Sequence, residues 1–238
     1  MSQAYPVVLA LGCLAGLGWL ALRRGVSAEA FPAALLALAL GLIGARLVFA
    51  VLHGAYFLAH PGEVAWVWQG GLSWAGGALG VLAAVGLYAI VRRLRLAPLA
   101  DDIVLPALAV ALASWTGCFL ENCVVGLPVP AGPLALASPD LFGVVAPRWP
   151  TAAVGMIATG AMLCAFLLLD GKKIGPGQRA VSALAGVAAI GLGLSFTRAD
   201  PMLRIGVLRL DSFGAALLLI LALGLGLFVR REPGARRS

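Results

Sequence analysis

The sequence has 238 residues, of which 62% are hydrophobic and 11% are charged, and its mean hydropathy is +1.02. Soluble globular domains do not have this composition, so we interpret the chain as an integral membrane protein. The formal net charge of +7 falls in short segments between apolar runs and at the C-terminus, which is typical of a topology signal, and we expect no nucleic-acid partner.

Seven apolar runs are long enough to cross a bilayer core, which needs roughly 20 apolar residues per helix. They cover residues 4–22, 31–56, 72–91, 103–125, 151–169, 180–197 and 212–229. Because the runs are continuously apolar and do not alternate, the sequence predicts an all-α, polytopic membrane protein with seven transmembrane helices in a single domain, 1–238. Arg23 and Arg24 follow the first run and nothing positive precedes it, so we expect it to remain as a helix and not to be cleaved.

Positive residues set the orientation of the spans. One side collects twelve of them: Arg23, Arg24, Arg92, Arg93, Arg95, Lys172, Lys173, Arg179, Arg230, Arg231, Arg236 and Arg237. The other side has four: Arg148, Arg198, Arg204 and Arg209. The N-terminus is therefore predicted outside and the C-terminus, with a basic tail at 230–238, in the cytoplasm. The connections 57–71 and 126–150 then lie outside, and their prolines make them candidates for a lid or short re-entrant pieces.

The four cysteines indicate neither a metal site nor a disulfide. Cys13 and Cys164 stand alone in apolar runs. Cys118 and Cys123 are five residues apart, which on a helix points their side chains about 140° away from each other. We therefore expect no zinc, haem or disulfide framework, no metal site and no cofactor.

Ionisable residues inside spanning helices are expensive and usually mark function. Arg46 lies in the outer half of the second predicted helix, Glu121 is close to the outer end of the fourth, and Arg198 ends the sixth. With the loop residue Arg148, these depths place four ionisable residues at one level near the outer interface.

Each of these residues also has a structural interpretation, which stays open. Arg46 could reach outer-leaflet phosphates or pair with Glu121 as a strut. Glu121 could serve only as the counter-ion of an arginine. Arg198 could pair with Asp200 at the interface.

Glycines open the third predicted helix. Gly70 and Gly71 could let backbone N–H groups approach a phosphate. Gly76 and Gly80 have the small-xxx-small spacing of close helix packing. Ser73 is not part of a Gly-x-Ser-x-Gly elbow, which argues against a serine hydrolase.

Four segments together resemble the prolipoprotein diacylglyceryl transferases, seven-helix bacterial inner-membrane enzymes with an outside N-terminus. Residues 44–49 (Gly-Ala-Arg-Leu-Val-Phe) resemble that family's Gly-Gly-Arg-hydrophobic-Gly-Tyr, and residues 68–80 match Trp-x-Gly-Gly-Met-Ser-Phe-His-Gly-Gly-x-x-Gly except at the histidine and two conservative positions. Residues 148–151 resemble Arg-His-Pro-Ser, and residues 196–198 resemble Phe-Phe-Arg. The resemblance covers about residues 41–201.

The fourth helix departs from the family's signature, Gly-Arg-x-Gly-Asn-Phe-x-Asn-x-Glu. Of that signature only Gly117 and Phe119 are kept. Its arginine, two asparagines and glutamate are replaced by Trp115, Cys118, Glu121 and Cys123, and two further family histidines are replaced by Ala75 and Trp149.

The resemblance implies transfer of a diacylglyceryl group from phosphatidylglycerol to a lipobox cysteine thiol in the signal segment of a preprolipoprotein, within the lipid of the bacterial inner membrane. Arginine suits the phosphate because its fork binds oxygens bidentately and keeps its charge. The residues predicted for the site are Arg46, Arg148, Gly70, Gly71 and Ser73 for substrate binding, Arg198 as a catalytic phosphate clamp, and Glu121 as a tentative base. The alternative is a catalytically impaired member that binds phospholipid or lipoprotein precursor without turnover. A small transporter is a third hypothesis, but no repeated half supports it.

Overall fold

The computed structural model describes residues 4–67, 70–140, 142–172, 174–200, 204–206 and 208–231. Trp68, Gln69, Lys173, residues 201–203 and residues 232–238 of the predicted basic tail lie outside this description. The α-helices are α1 Ala4–Leu22, α2 Ala30–Leu52, α3 Gly54–Ala59, α4 Trp74–Arg92, α5 Leu96–Glu121, α6 Thr151–Leu168, α7 Gln178–Ser195 and α8 Leu210–Arg231. A 3-10 helix covers Pro61–Ala65, and the strands are β1 Leu136–Pro139, β2 Val145–Arg148, β3 Arg204–Ile205 and β4 Leu208–Arg209.

Seven helices of the described chain are long and apolar enough to cross a membrane, and these are all the α-helices except the short α3. The predicted fold class, an all-α polytopic membrane protein with seven spans, is confirmed. The orientation of the two termini stays a prediction.

Three helix ends differ by more than two residues from their predicted positions. The second span ends at Leu52, because His53 leaves the helical region, and α3 follows as a separate short helix. The fourth span, α5, begins at Leu96, earlier than the apolar run, so Asp101 and Asp102 lie within the helix. It also ends earlier, at Glu121, since Asn122 takes a left-handed conformation with φ +52°.

The described residues divide into two compact units. One unit is Leu17–Ile103, with a core of small and aliphatic side chains from α2, α4 and the parts of α1 and α5 that belong to it. Helices α2 and α4 approach closely through glycines: a Cβ at Gly76 would overlap the carbonyl oxygen of Gly44, and a Cβ at Gly80 would overlap that of Leu40. The packing role predicted for Gly76 and Gly80 is confirmed.

The other unit consists of Met1–Gly16 and Val104–Ser238, of which the residues given above are described. A core of Val104, Leu108 and Ala183 joins α5 to α7, and α8 packs along α7. The strands form two antiparallel hairpins, β1–β2 and β3–β4. The backbone at Gly126 passes so close to Trp149 that a Cβ at position 126 would overlap the Trp149 carbonyl oxygen.

Candidate functional site

Arg46 lies within α2 and binds the α2–α4 connection through backbone oxygens. Its Nε donates to the carbonyl of Val64 at 2.8 Å and its Nη2 to that of Glu63 at 2.6 Å. Its Nη1 donates to the carbonyls of Gly70 at 2.6 Å and Gly71 at 3.1 Å. The residue is only 5% exposed. These four acceptors form a carbonyl cage that fixes two parts of the connection to α2.

The residues predicted at the entrance of α4 are arranged around that cage. Gly70 and Gly71 have φ values of +86° and +70°, a conformation that favours glycine. The carbonyl of each accepts a hydrogen bond from the guanidinium of Arg46. The N–H of Gly70 donates to the carbonyl of Val67. Ser73 is the N-cap of α4, because its hydroxyl accepts the N–H of Gly76 at 3.3 Å. A phosphate contact by the N–H groups of these glycines stays a prediction.

Arg148 ends β2, and the residue is 6% exposed. Its Nη2 lies 3.1 Å from a carboxylate oxygen of Asp140, and its Nη1 donates to the carbonyl of Gly126 at 3.4 Å. Among the described residues, the buried Nε of Arg148 has no hydrogen-bond partner, and the buried indole Nε1 of Trp149 has none either. An unsatisfied buried donor costs about 1–3 kcal/mol, so an anionic oxygen that reached Nε would be bound favourably.

One extended segment, residues 125–129, joins the neighbourhoods of Arg148 and Arg198. On one side its backbone pairs with residues 147–149, and on the other with residues 197–199, through hydrogen bonds of 2.8–3.0 Å. The structure therefore brings Arg148, at the entrance of α6, and Arg198, just beyond α7, to the two edges of the same segment.

Arg198 belongs to an ion network with Asp200, Arg209 and Asp211. Its Nε and Nη2 donate to the two carboxylate oxygens of Asp200 at 2.8 and 2.7 Å, and its Nη1 lies 3.4 Å from Asp211. Arg209 donates from Nε to Asp211 at 3.1 Å and from Nη2 to Asp200 at 3.0 Å. Two positive and two negative side chains thus neutralise each other. The pairing of Arg198 with Asp200, which the sequence left open, is present.

The charge state of the network follows from its geometry. Burial by itself would raise the pKa of the Asp200 carboxyl, but the hydrogen bond and the charge of Arg198, together with those of Arg209, outweigh it. The pKa of Asp200 is therefore held below its usual value, and this aspartate is ionised at neutral pH.

Glu121 is the last residue of α5, and one of its carboxylate oxygens accepts the backbone N–H of Tyr5 at 3.0 Å. The phenol oxygen of Tyr5 lies 3.2 Å from the hydroxyl of Ser114, which is on the same face of α5 as Glu121, about two turns closer to the start of the helix. Glu121 therefore ties the end of α5 to the start of α1. Its role as a base stays a prediction.

Cys118 and Cys123 form a disulfide with Cα atoms 4.8 Å apart. The prediction that these cysteines form no disulfide is wrong, because it assumed that α5 continues through residue 123. The helix ends at Glu121, and the backbone reverses direction at Asn122. The N–H of Cys123 then donates to the carbonyl of Cys118 at 3.1 Å. This reversal brings the two side chains together. In the family's pattern the same two positions hold an asparagine and a glutamate.

Sequence reasoning missed Asp140, Arg209 and Asp211, although each left a signal. The pattern Arg-x-Asp occurs twice, at 198–200 and at 209–211, and Asp140 is the only ionisable residue between positions 124 and 147. Among the described residues, no group of three or more His, Cys, Asp or Glu side chains is arranged to hold a metal ion.

Comparison with known proteins gives one consistent result. The family model of prolipoprotein diacylglyceryl transferase matches residues 2–229. A phosphatidylglycerol–prolipoprotein diacylglyceryl transferase of Ruegeria pomeroyi is 35% identical over 166 residues, 65% of this chain and 54% of the relative. Proteins of the same description from Rhodospirillum rubrum and Bordetella parapertussis are each 32% identical, over 71% and 80% of this chain and 62% and 74% of the relatives. The chain thus spans between about half and three quarters of the length of these curated relatives.

Proposed function

Because the chain belongs to the prolipoprotein diacylglyceryl transferase family and is a multi-pass protein of the bacterial inner membrane, we propose that it transfers a diacylglyceryl group from phosphatidylglycerol to a cysteine thiol of a prolipoprotein. The acceptor in this proposal is the lipobox cysteine of the signal segment. The names of these relatives include both phosphatidylglycerol and prolipoprotein, which supports the proposal.

The observation that carries the proposal in this chain is the unsatisfied Nε of Arg148. Asp140 and Gly126 already orient the guanidinium, so a phosphate oxygen that reaches Nε would meet a donor whose side chain needs little further ordering. Because Nε is buried in this structure, a neighbouring group has to move aside before the phosphate can reach it. A preorganised donor of this kind stabilises the charge that develops on a leaving phosphate.

The reaction itself is a substitution at carbon. The thiol proton passes to a base, for which we propose Glu121, and the resulting thiolate attacks the glyceryl carbon that carries the phosphate ester. The carbon–sulfur bond forms as the carbon–oxygen bond breaks, and glycerol phosphate leaves with the electron pair. Arg148 binds this phosphate. Arg198 also binds it, with a guanidinium that keeps its contact with Asp200.

For Arg46, Gly70, Gly71 and Ser73 we propose a supporting part in substrate binding. The four donors of Arg46 hold the carbonyl cage, and the N-cap at Ser73 fixes the start of α4. In this proposal their contribution is to order the α2–α4 connection.

A second candidate function is binding of phospholipid or lipoprotein precursor without turnover. The disulfide favours it, because Cys118 and Cys123 take the places of two polar residues of the family's signature and are joined to each other. The neutralised state of Arg198 counts against turnover as well, because both neighbouring carboxylates reduce the positive charge that would stabilise a leaving phosphate.

The test is thioether formation by the purified protein in phosphatidylglycerol proteoliposomes with a lipobox peptide. We expect transfer, a loss of about 100-fold or more in Arg148→Ala, and a partial loss in Arg148→Lys, which keeps the charge without the fork. Glu121→Gln tests the base. Arg179→Ala is the matched control, because Arg179, at the start of α7, is also an arginine paired with an aspartate, Asp170.

Three outcomes separate the two functions. Transfer that Arg148→Ala abolishes and Arg179→Ala retains supports the enzyme. Phosphatidylglycerol binding without transfer, while a relative is active in the same assay, overturns the enzyme and supports the binding function. Transfer that Arg148→Ala leaves unchanged contradicts the phosphate contact proposed for that residue.

A further inference from the structure

The β1–β2 hairpin ends in an apolar tip formed by Phe142, Val144 and Val145. Phe142 is 92% exposed, and both valines are more than half exposed. The segment 124–147 that contains the hairpin has a single ionisable residue, Asp140. A connection of this length that lay in water would be expected to carry more charge, so its composition points to an apolar surrounding.

The N–H groups of Asp140, Phe142, Gly143 and Val144 all donate within the hairpin. One carboxylate oxygen of Asp140 accepts the N–H groups of Phe142 at 2.8 Å and Val144 at 2.9 Å. The N–H of Gly143 donates to the Asp140 carbonyl, and the N–H of Asp140 donates to the Val144 carbonyl. The second carboxylate oxygen is neutralised by Arg148 at 3.1 Å. Backbone that enters lipid needs this internal satisfaction, whereas backbone in water does not.

The position of the hairpin in the chain brings it to a membrane boundary. Strand β2 ends at Arg148, and α6, a candidate membrane span, begins at Thr151. At about 3.4 Å per residue, a four-residue strand carries the tip roughly 14 Å from its base, which is long enough to reach the depth of about 5–10 Å at which interfacial elements lie.

We propose that the tip of the β1–β2 hairpin is a lipid-contacting element, with Phe142, Val144 and Val145 inserted into the boundary between headgroups and acyl chains of the adjacent leaflet. The partner is a phospholipid bilayer. A lipid fits better than a peptide, because the most exposed side chain projects from the end of the hairpin and a peptide segment would need a concave surface to bury its own side chains. This inference does not rest on the transferase activity.

The test measures the surroundings of the tip in phosphatidylglycerol-containing nanodiscs. In a background in which the two free cysteines are replaced (Cys13→Ala, Cys164→Ala), a spin label is attached at Phe142→Cys, and its accessibility to oxygen and to a water-soluble nickel complex is compared. Leu221→Cys in α8 gives a lipid reference, and Lys172→Cys in the α6–α7 loop gives a water reference.

We expect the label at position 142 to lose nickel accessibility and gain oxygen accessibility relative to position 172, and to resemble position 221. Val144→Cys provides a second position if Phe142→Cys does not fold. Phe142→Asp combined with the label at 144 is expected to return that label to water-like accessibility, whereas Phe142→Leu is expected to leave it in lipid.

Two results would overturn the proposal. Water-like accessibility at both 142 and 144 in nanodiscs would show that the tip does not contact lipid. Water-like accessibility that changes to protection only when a lipobox peptide is added would show that the apolar tip is a peptide-docking surface. Transferase activity is not needed for either result, so failure of the proposed function would leave this test intact.

Discussion

Two arginines of the molecule, Arg46 and Arg209, are each only 5% exposed, but their acceptors differ. Arg46 in α2 donates to four backbone carbonyls of the α2–α4 connection, and no carboxylate of the described chain lies within ion-pair distance of it. Arg209 before α8 donates to the carboxylates of Asp200 and Asp211 as well as to two carbonyls. The first arginine keeps its net positive charge, and the second is neutralised.

The difference shows that a buried arginine is not in itself evidence of a ligand-binding charge. Carbonyl dipoles offset the desolvation of Arg46 without cancelling its charge, and the rings of Phe49 and Phe57 lie 5.8 and 5.2 Å from the guanidinium carbon. In the ion network the offset comes from carboxylates, whose protonation and mutation can remove it. The first arrangement depends on the path of the backbone, and the second depends on the side chains of its partners.

The largest effect is expected at Arg46. Arg46→Ala leaves four carbonyls without a donor and should lower the free energy of unfolding in mixed micelles by about 3 kcal/mol or more. Arg46→Lys should lose about half as much, because an ammonium group cannot reproduce the planar fork. Hydrogen exchange in residues 61–71 should increase in both variants.

Glu63→Gln is the matched control for that prediction. Arg46 contacts the backbone oxygen of Glu63, whereas the carboxylate of Glu63 accepts the hydroxyl of Tyr56 at 2.7 Å on the exposed side. We expect a change within about 0.5 kcal/mol. A loss equal to that of Arg46→Ala would contradict the carbonyl cage.

The next largest effect is expected at Asp200. Asp200→Asn removes the charge that both Arg198 and Arg209 contact, and should lower the free energy of unfolding by about 2 kcal/mol. A double-mutant cycle with Arg209→Gln should give a coupling energy of about 1–2 kcal/mol. Asp170→Asn, which breaks a more exposed aspartate–arginine pair, should cost less than about 1 kcal/mol. Equal costs at both positions would contradict the special role of the buried network.

A smaller effect is expected from the disulfide, because it closes a short loop. Replacing both Cys118 and Cys123 by Ser should lower the free energy of unfolding by about 1–2 kcal/mol. It should also speed hydrogen exchange at the N–H of Tyr5, which Glu121 accepts at the end of the same loop. Cys164→Ser, at an exposed free cysteine, is the control and should change neither quantity. If hydrogen exchange at the Tyr5 N–H is unchanged in the double variant, the disulfide does not stabilise the contact between Glu121 and Tyr5.

The smallest effect is a pH dependence that distinguishes the two regions. The depressed pKa of Asp200 in the folded protein means that its contribution to stability is present above the unfolded value of about 3.9 and is lost as pH falls through the folded pKa. Thermal unfolding measured from neutral pH downward should therefore show a loss that is smaller in Asp200→Asn. Arg46→Lys should keep the wild-type dependence, because the carbonyl cage contains no titrating group. A dependence that Asp200→Asn leaves unchanged would assign the loss to other carboxyls.

The sequence by itself determined the seven spans, since apolar runs of about 20 residues have one stable state in a bilayer. It also determined the close packing at Gly76 and Gly80, because small residues at that spacing leave room only for a neighbouring backbone. The same sequence picked out Arg46, Arg148, Arg198 and Glu121 as unusual for their depth. Its motifs also placed the chain near its family, and the comparison confirms the family.

Only the tertiary structure decided what those residues contact. The partners of Arg46 are backbone carbonyls, and a carbonyl is present at every position of the chain, so no residue type marks them. The disulfide depends on one left-handed residue, Asn122, which ends α5 inside an otherwise apolar run. The ion network closes between residues 198 and 211, and strands β3 and β4 pair within this stretch. Burial in a membrane follows from composition, whereas the pairing of polar groups follows from where the backbone turns.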